Sequence, residues 1–395
     1  MHLITFEFDR TKSVEKRFAE LFNPHKDIAM PLPLIIGAAA LITAAYGAKK
    51  GYDGHQLHSE ADEIVKGAQA RYDEKKSAFD QQEKQTTSAL ESLGKKELEI
   101  GKSFDEFKTV ADKLLQQLNA GRQKKLEIKI PKHKLQKVEN YSYTAIGVLG
   151  SVAGAGAAGA AAGFAIYGGV MALGAASTGT AISSLAGVAA SNAAMAAIGG
   201  GSLATGGLGI AGGTAILGAA VAAPVLAIAG WAYNSHGEEA VKNARKADGE
   251  VTKAVAKLGR AITHLAETKE YVGEIQLTLL AIHGQFSRYF ETLKNINAVI
   301  EDAKSRNADV QGELSKFNDS IIRAIENGYA LAAILVNVIT TPIFKMKKVD
   351  GEVVEGKDDV PVMETDADGS MVLNDTELAD ALVLAATEAG RIGSA

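Results

Sequence analysis

Apolar residues recur at alternating intervals of three and four in two long parts of the chain. In the first part the positions are Leu90, Leu93, Glu97, Ile100, Phe104, Phe107, Ala111, Leu114 and Leu118. This spacing puts one narrow stripe on a helix and is typical of a coiled-coil seam. No proline lies between residues 56 and 123, so the pattern predicts a helical arm about 100 Å long at 1.5 Å per residue.

A second run with the same spacing lies further along the chain. Its positions are Leu279, Ile282, Phe286, Tyr289, Leu293, Ile296, Ile300, Ala303, Asn307, Val310, Leu314, Phe317, Ile321 and Ala324. The run predicts a second coiled-coil arm over 238–345, in which the polar Asn307 fixes the register of the seam. The simplest arrangement pairs the two arms antiparallel, which gives an all-α fold of long antiparallel coiled-coil helices.

The stretch between the arms carries no charge. All 89 charged residues (42 Lys and Arg plus 47 Asp and Glu) lie outside the 98 residues from Asn140 to Gly237, which are mostly alanine and glycine. The pattern favours apolar helices near 143–176, 181–198 and 208–233, and we expect the block to form a membrane-interacting helical hairpin. Four glycines stand near the small-xxx-small spacing that lets helices approach closely in lipid: Gly150, Gly154, Gly159 and Gly163.

Basic and aromatic residues flank this uncharged block. The lysines before it are Lys124, Lys125, Lys129, Lys132, Lys134 and Lys137, and such a cluster favours contact with anionic lipid headgroups. A solvated helix end explains the same lysines. Tyr141 and Tyr143 follow them, and Trp231 and Tyr233 mark the end of the block, as aromatic residues do at membrane interfaces.

The remaining segments differ in character. Residues 1–30 form a charged extension without the pattern of a secretory signal, and Met30, where the composition changes, is a candidate start. Residues 31–48 are uncharged and end in two lysines; they are at the lower limit for a membrane span, and a buried core helix is the alternative. Residues 329–344 are short for a span, so a buried helix end fits equally well. The acidic tail 346–395 predicts a small hairpin followed by a helix.

Composition removes several classes of function. The chain has no cysteine, which excludes disulfides, thiolate metal sites and cysteine nucleophiles. Its formal net charge of −5 argues against nucleic acid as a partner. We predict no enzymatic activity, because no pattern of nucleophile, base and orienting acid is recognisable.

Three motifs resemble ligand sites but lack their context. Residues 207–212 match GxGxxG, yet no strand precedes them and no acidic residue follows at the required distance. Asp366, Asp368, Ser370, Asn374 and Glu377 occupy calcium-loop positions, but Met371 stands where the sharp turn needs glycine, and Glu377 is explained equally well by helix capping. His55 and His58 have no third ligand nearby in the sequence. We therefore predict no cofactor and no metal.

The segment PLPLIIGAAALITAAYGAKKGYD and the block STGTAISSLAGVAASNAAMAAIGGGSLATGGLGIAGGTAILG resemble a widespread group of bacterial glycine-zipper proteins. The resemblance covers roughly residues 30–267 and implies a location in the bacterial cytoplasm or inner membrane, with no catalytic residues to carry over. The architecture also resembles helical pore-forming toxins of the cytolysin A type, in which an apolar segment sits between long helices. The first thirty residues and the acidic tail depart from the glycine-zipper pattern.

These observations leave three functions open. In the first, the apolar hairpin inserts into a bilayer, including as a pore-forming or membrane-perturbing element. In the second, the block is a permanent membrane anchor and the arms recruit a helical partner or a second copy of the chain. In the third, the protein is soluble and the glycine-rich block is packed core. The expected partners are an anionic lipid bilayer and either a homo-oligomer or a helical protein.

Overall fold

Two long helices lie side by side and carry the two predicted seams. The computed structural model describes residues 51–120, 128–151, 161–162, 164–168, 238–354, 362–367 and 370–393. Helix α1 spans Gly51–Asn119, and helix α3 spans Glu238–Ser305. Each is about 100 Å long at 1.5 Å per residue. The described residues are predominantly helical, with one small β element in the tail. This confirms the all-α class predicted from the sequence.

The two long helices run parallel, so the expected antiparallel orientation is wrong. Glu60 forms an ion pair with Arg245 at 2.9 Å, and Lys113 forms one with Glu301 at 3.0 Å. In the polar contacts between the two helices the α3 partner lies 177 to 188 positions later in the chain. A nearly constant difference of position is the mark of parallel helices. The seam residues face one another in either orientation, which is why their spacing does not distinguish the two.

A buried threonine supplies a polar contact within the seam. The side chain of Thr86 is fully buried, and its hydroxyl donates to the carbonyl of Leu265 across the interface at 2.9 Å. It also lies 3.0 Å from the carbonyl of Gln82 in its own helix. Because sliding the helices would lose this cross-helix hydrogen bond, the contact favours one register.

Asn307 ends α3 instead of lying in the seam. Its φ is +54°, the left-handed conformation that asparagine tolerates. The N–H of Ala308 donates to the carbonyl of Ala303 at 2.9 Å, and the N–H of Asn307 donates to that of Lys304 at 3.1 Å. This pair of bonds is the Schellman motif that closes helices. The seam spacing therefore continues through a turn, into the short helix α4 (Val310–Lys316).

Three further helices pack around one half of the long pair. Helix α2 spans Lys132–Ser151 and runs antiparallel to α1, while α5 spans Asn318–Ile339 and returns along α3. Helix α6, Asp375–Gly393, packs on α5 and α3. We call this half the bundle. We call the other half, residues 51–84 and 238–262, the stalk. Its described contacts join α1 to α3.

The tail contains the small β element that the sequence predicts. Strands β1 (Lys348–Val349) and β2 (Glu352–Val353) pair antiparallel around Asp350 and Gly351, whose φ values of +53° and +85° suit a tight hairpin turn. An isolated antiparallel bridge also joins Thr365 to Met371, on either side of the DADG segment 366–369.

Candidate membrane-interaction site

Both long helices begin at the end of the stalk that lies away from the bundle. A small cluster of Ala61, Ala240, Val241 and Ala244 is buried there, and the ion pair of Arg245 with Glu60 spans it. These small side chains let the two helices begin side by side.

Two uncharged stretches of sequence join the fold at this end. Residues 31–48 precede the start of α1 by two lysines, and the uncharged block leads directly into the start of α3. In an antiparallel pair, these two connections would lie at opposite ends of the rod that α1 and α3 form. The parallel orientation brings them together. Residues 1–50 themselves lie outside the described part of the chain.

The first part of the uncharged block is packed into the bundle. Tyr141 is fully buried and its hydroxyl donates to the carbonyl of Glu97 at 2.8 Å, so its predicted role at a membrane interface is wrong. The hydroxyl of Ser142 donates to the carbonyl of Gly101 at 2.7 Å. Phe164 is also buried, with its ring centroid 6.2 Å from that of Tyr141. Absence of charge therefore marks protein core here.

The packing of α2 on α1 encloses a carboxyl group. Glu97 is 2% exposed, and its Oε2 has no hydrogen-bond partner among the described residues. Burial raises the pKa of Glu97 well above its usual value, because removal from water disfavours the charged form. Burial and then the proximity of Glu97 also raise the pKa of Tyr141. Glu97, which the spacing placed in the seam, thus lies where its surroundings favour the neutral carboxyl group.

The outer face of α2 is apolar and exposed. Tyr143, Ile146 and Leu149 are 49%, 38% and 40% exposed, and their three-residue spacing puts them on one side of the helix. A Cβ at Gly150 would meet no atom within 4 Å, so this glycine makes no close helix contact within the described residues. This face leads in sequence toward the rest of the uncharged block.

The basic cluster lies elsewhere. Lys132 and Lys134 are exposed at the start of α2, about 90 Å along the rod from the start of α1 at 1.5 Å per residue. Lys137 donates to the side-chain carbonyl of Asn337 at 2.7 Å, and burial lowers its pKa. The N–H of Lys129 donates to Glu326 at 3.0 Å. Lys137 and the backbone of Lys129 therefore serve contacts within the bundle.

One described helix passes the length and composition test for a membrane span. It is α5, whose mean hydropathy over its most apolar window is 1.4, yet 67% of that window is buried inside the protein. The core of a soluble bundle passes the same test. This burial agrees with the alternative of a buried helix end for residues 329–344.

The other predicted site residues divide into two groups. Leu90, Leu93, Phe104, Phe107, Leu293, Ile296 and Ile300 are buried in the core that α1 and α3 share. Lys124, Lys125, Gly154, Gly159, Gly163, Trp231 and Tyr233 lie outside the described residues, as does the centre of the predicted hairpin. Sequence reasoning missed Thr86 and the close α1–α2 contact at Gly101, where an added Cβ would lie 2.4 Å from that of Ala145.

The acidic tail shows capping contacts. The side-chain amide of Asn374 donates to the carbonyl of Pro342 at 3.1 Å and to Glu377 at 2.9 Å, at the start of α6. Among the described residues, no three His, Asp or Glu side chains are grouped to hold a metal ion. Comparison of the chain with protein-family models, curated proteins and solved structures finds no match.

Proposed function

We propose that this chain is a membrane-interacting protein, in which the uncharged residues after Gly168 insert into a bilayer. The observation that carries the proposal is the parallel orientation of α1 and α3, because it brings the connection after residues 31–48 and the connection after the uncharged block together at one end of the rod. A protein that enters lipid from one end needs this arrangement. The bundle then lies in the half of the rod that is farther from the membrane.

The composition of residues 169–237 supports the same function. They contain no charged residue and are rich in alanine and glycine. In water so much glycine disfavours helix by about 0.5–1 kcal/mol at each position. In a bilayer unpaired backbone groups cost several kcal/mol each, so helix is favoured there.

A permanent membrane anchor is the second candidate. It is favoured by the bundle, whose core is closed and contains the apolar helix α5, because such a bundle can remain folded while the uncharged block stays in the membrane. The two candidates differ in whether insertion is conditional. A permanent anchor remains in the membrane pellet after an alkaline wash, whereas a conditional inserter is largely soluble.

The test is fractionation of the full chain beside a variant in which residues 171–230 are replaced. The replacement is a Gly/Ser sequence of equal length, because the chain must return about 60 Å along the rod, from the level of Gly94 to the start of α3. Sixty flexible residues span that distance easily, so the rod is preserved. We expect the parent chain to bind anionic liposomes and the variant to lose binding.

The control and the leakage assay separate the alternatives. Helical content by circular dichroism establishes that the variant retains the rod. Release of dye from loaded liposomes by the parent supports a membrane-perturbing role, and binding without release supports an anchor. If the parent chain neither binds liposomes nor is found in the membrane fraction, the proposal is contradicted and a soluble interaction protein is favoured.

A further inference from the structure

Helix α3 has an exposed stripe that no described helix covers. Leu277 and Leu280 are 70% and 50% exposed, and Ala281 and Gly284 are exposed beside them. A Cβ at Gly284 would meet no atom within 4 Å. Large apolar side chains at such exposure on a surface of small residues are typical of a helix-docking face.

Charged residues bracket this apolar centre asymmetrically. Glu270 and Glu274 lie on the same exposed stripe on its N-terminal side, and Arg288 lies on its C-terminal side. The N-terminal side of the stripe is therefore negative, and Arg288 is positive on its C-terminal side, where the nearby Glu291 is paired with Lys294. The stripe from 270 to 288 is about 27 Å long at 1.5 Å per residue.

The spacing of the stripe is palindromic. Six of its positions, 270, 274, 277, 281, 284 and 288, are arranged symmetrically about position 279, with Leu280 beside them. If two copies of α3 meet antiparallel about that point, Glu270 of each faces Arg288 of the other, and Leu277 faces Ala281. In a parallel pair Glu270 would face Glu270, and such like-charge contacts are unfavourable.

We infer that this stripe is an interface for a second copy of the chain, with the two α3 helices antiparallel. Leucine side chains pack over Ala281 and Gly284, whose size permits the helices to approach closely. The two symmetric Glu270–Arg288 contacts select the orientation. The inference rests on α3 alone and does not depend on the membrane function.

Charge reversal in the full chain tests the interface. We expect the parent to form a reversible dimer by sedimentation analysis, and Glu270→Lys and Arg288→Glu each to raise the dimer dissociation constant about tenfold. An equimolar mixture of the two variants restores dimerisation. In the mixed pair the introduced lysine of one copy faces the introduced glutamate of the other, and the unchanged Glu270 and Arg288 still face each other. Glu239→Lys, at an exposed site on the same helix, is the matched control.

Cysteine pairs test the orientation without background, because the chain has no cysteine. We expect a mixture of Leu277→Cys and Ala281→Cys variants to form more disulfide-linked dimer than either variant alone. A parent that stays monomeric, reversal variants that dimerise like the parent, or a mixture that fails to recover would each overturn the inference. More efficient cross-linking of Leu277→Cys alone would indicate a parallel pair and overturn it as well.

Discussion

Gly328 allows α5 to approach α1, and its replacement by alanine tests this packing. A Cβ built at Gly328 lies 2.3 Å from Cζ and 2.6 Å from Cε2 of Phe107. Ordinary contact begins near 3.4 Å, so the helices have to separate by about 1 Å or the ring has to move. The ring is held by Phe286, Phe290 and Tyr329, with centroids 5.1, 5.9 and 5.1 Å away.

Two opposing energies determine the size of the effect. Overpacking a core costs about 1–3 kcal/mol, and a ring held on three sides places Gly328→Ala near the upper end. Alanine favours a helix by about 1 kcal/mol over glycine. We therefore expect the free energy of unfolding to fall by about 2 kcal/mol, because the overpacking is the larger of the two. At the exposed Gly67, where an added Cβ meets nothing within 4 Å, alanine should instead raise it by about 0.5–1 kcal/mol.

Urea denaturation followed by circular dichroism measures both changes. Phe107→Leu, combined with Gly328→Ala, should make the loss smaller than the sum of the two single losses, because the smaller side chain leaves room for the new methyl group. Close packing at Gly328 is refuted if Gly328→Ala stabilises the protein as much as Gly67→Ala, or if the two substitutions at the contact are additive.

Three further substitutions test the other structural assignments. Thr86→Val should lower the free energy of unfolding by about 0.5–1.5 kcal/mol, because the cross-helix hydrogen bond to the carbonyl of Leu265 is lost; urea denaturation measures the loss, and no change would exclude the cross-helix bond. Glu97→Gln should reduce the fall in stability as the pH rises above 4.5, because a carboxyl with a raised pKa stabilises the fold fully below its unfolded pKa and less as it ionises; parallel stability profiles of parent and variant from about pH 4 to 9 would contradict this. Asn307→Ala should cost about 1 kcal/mol more than Asn307→Gly, because φ there is +54°; equal melting curves would refute the helix-end assignment.

The seam was predictable because it depends only on spacing. Leu93 and Phe104 recur at helical intervals, and burying each contributes about 1.5–3 kcal/mol in any orientation of the partner. Helix direction was not predictable, because a three-four pattern is the same for parallel and antiparallel pairs. Thr86 was missed because threonine has no distinctive place in such a pattern. Asn307 was misplaced because the spacing continues unchanged through the turn.

Composition had a different limit at the start of the uncharged block. Tyr141 and Phe164 are buried in protein, although their sequence context is the same as that of residues proposed to enter lipid. Both environments exclude charge, so absence of charge alone cannot separate them. The distinction comes from a partner: here α1 offers the small Gly101 and a carbonyl for a hydroxyl to donate to.

The paired helices restrict how the rest of the block can cross a bilayer. Phe164 lies in the bundle and the start of α3 pairs with the start of α1, so under the proposed function both connections lie on one side of the bilayer. On that proposal we expect residues 169–237 to cross an even number of times. The glycine-rich segment 199–207 divides residues 169–237 near their middle, so two crossings would place this segment between them.

The prediction is that the glycine-rich segment 199–207 lies on the side of the membrane opposite the bundle. A Ser202→Cys variant in sealed vesicles tests it, because the chain has no other cysteine. A protease that cuts the exposed arms identifies the face on which the bundle lies. A membrane-impermeant maleimide should label Ser202→Cys only from the opposite face, from which that protease does not reach the arms. A cysteine at the exposed Gly67 is the control and should react from the bundle's own face. Labelling of both sites from the same face would mean that the block does not cross, and a segment lying on the membrane surface would then be favoured.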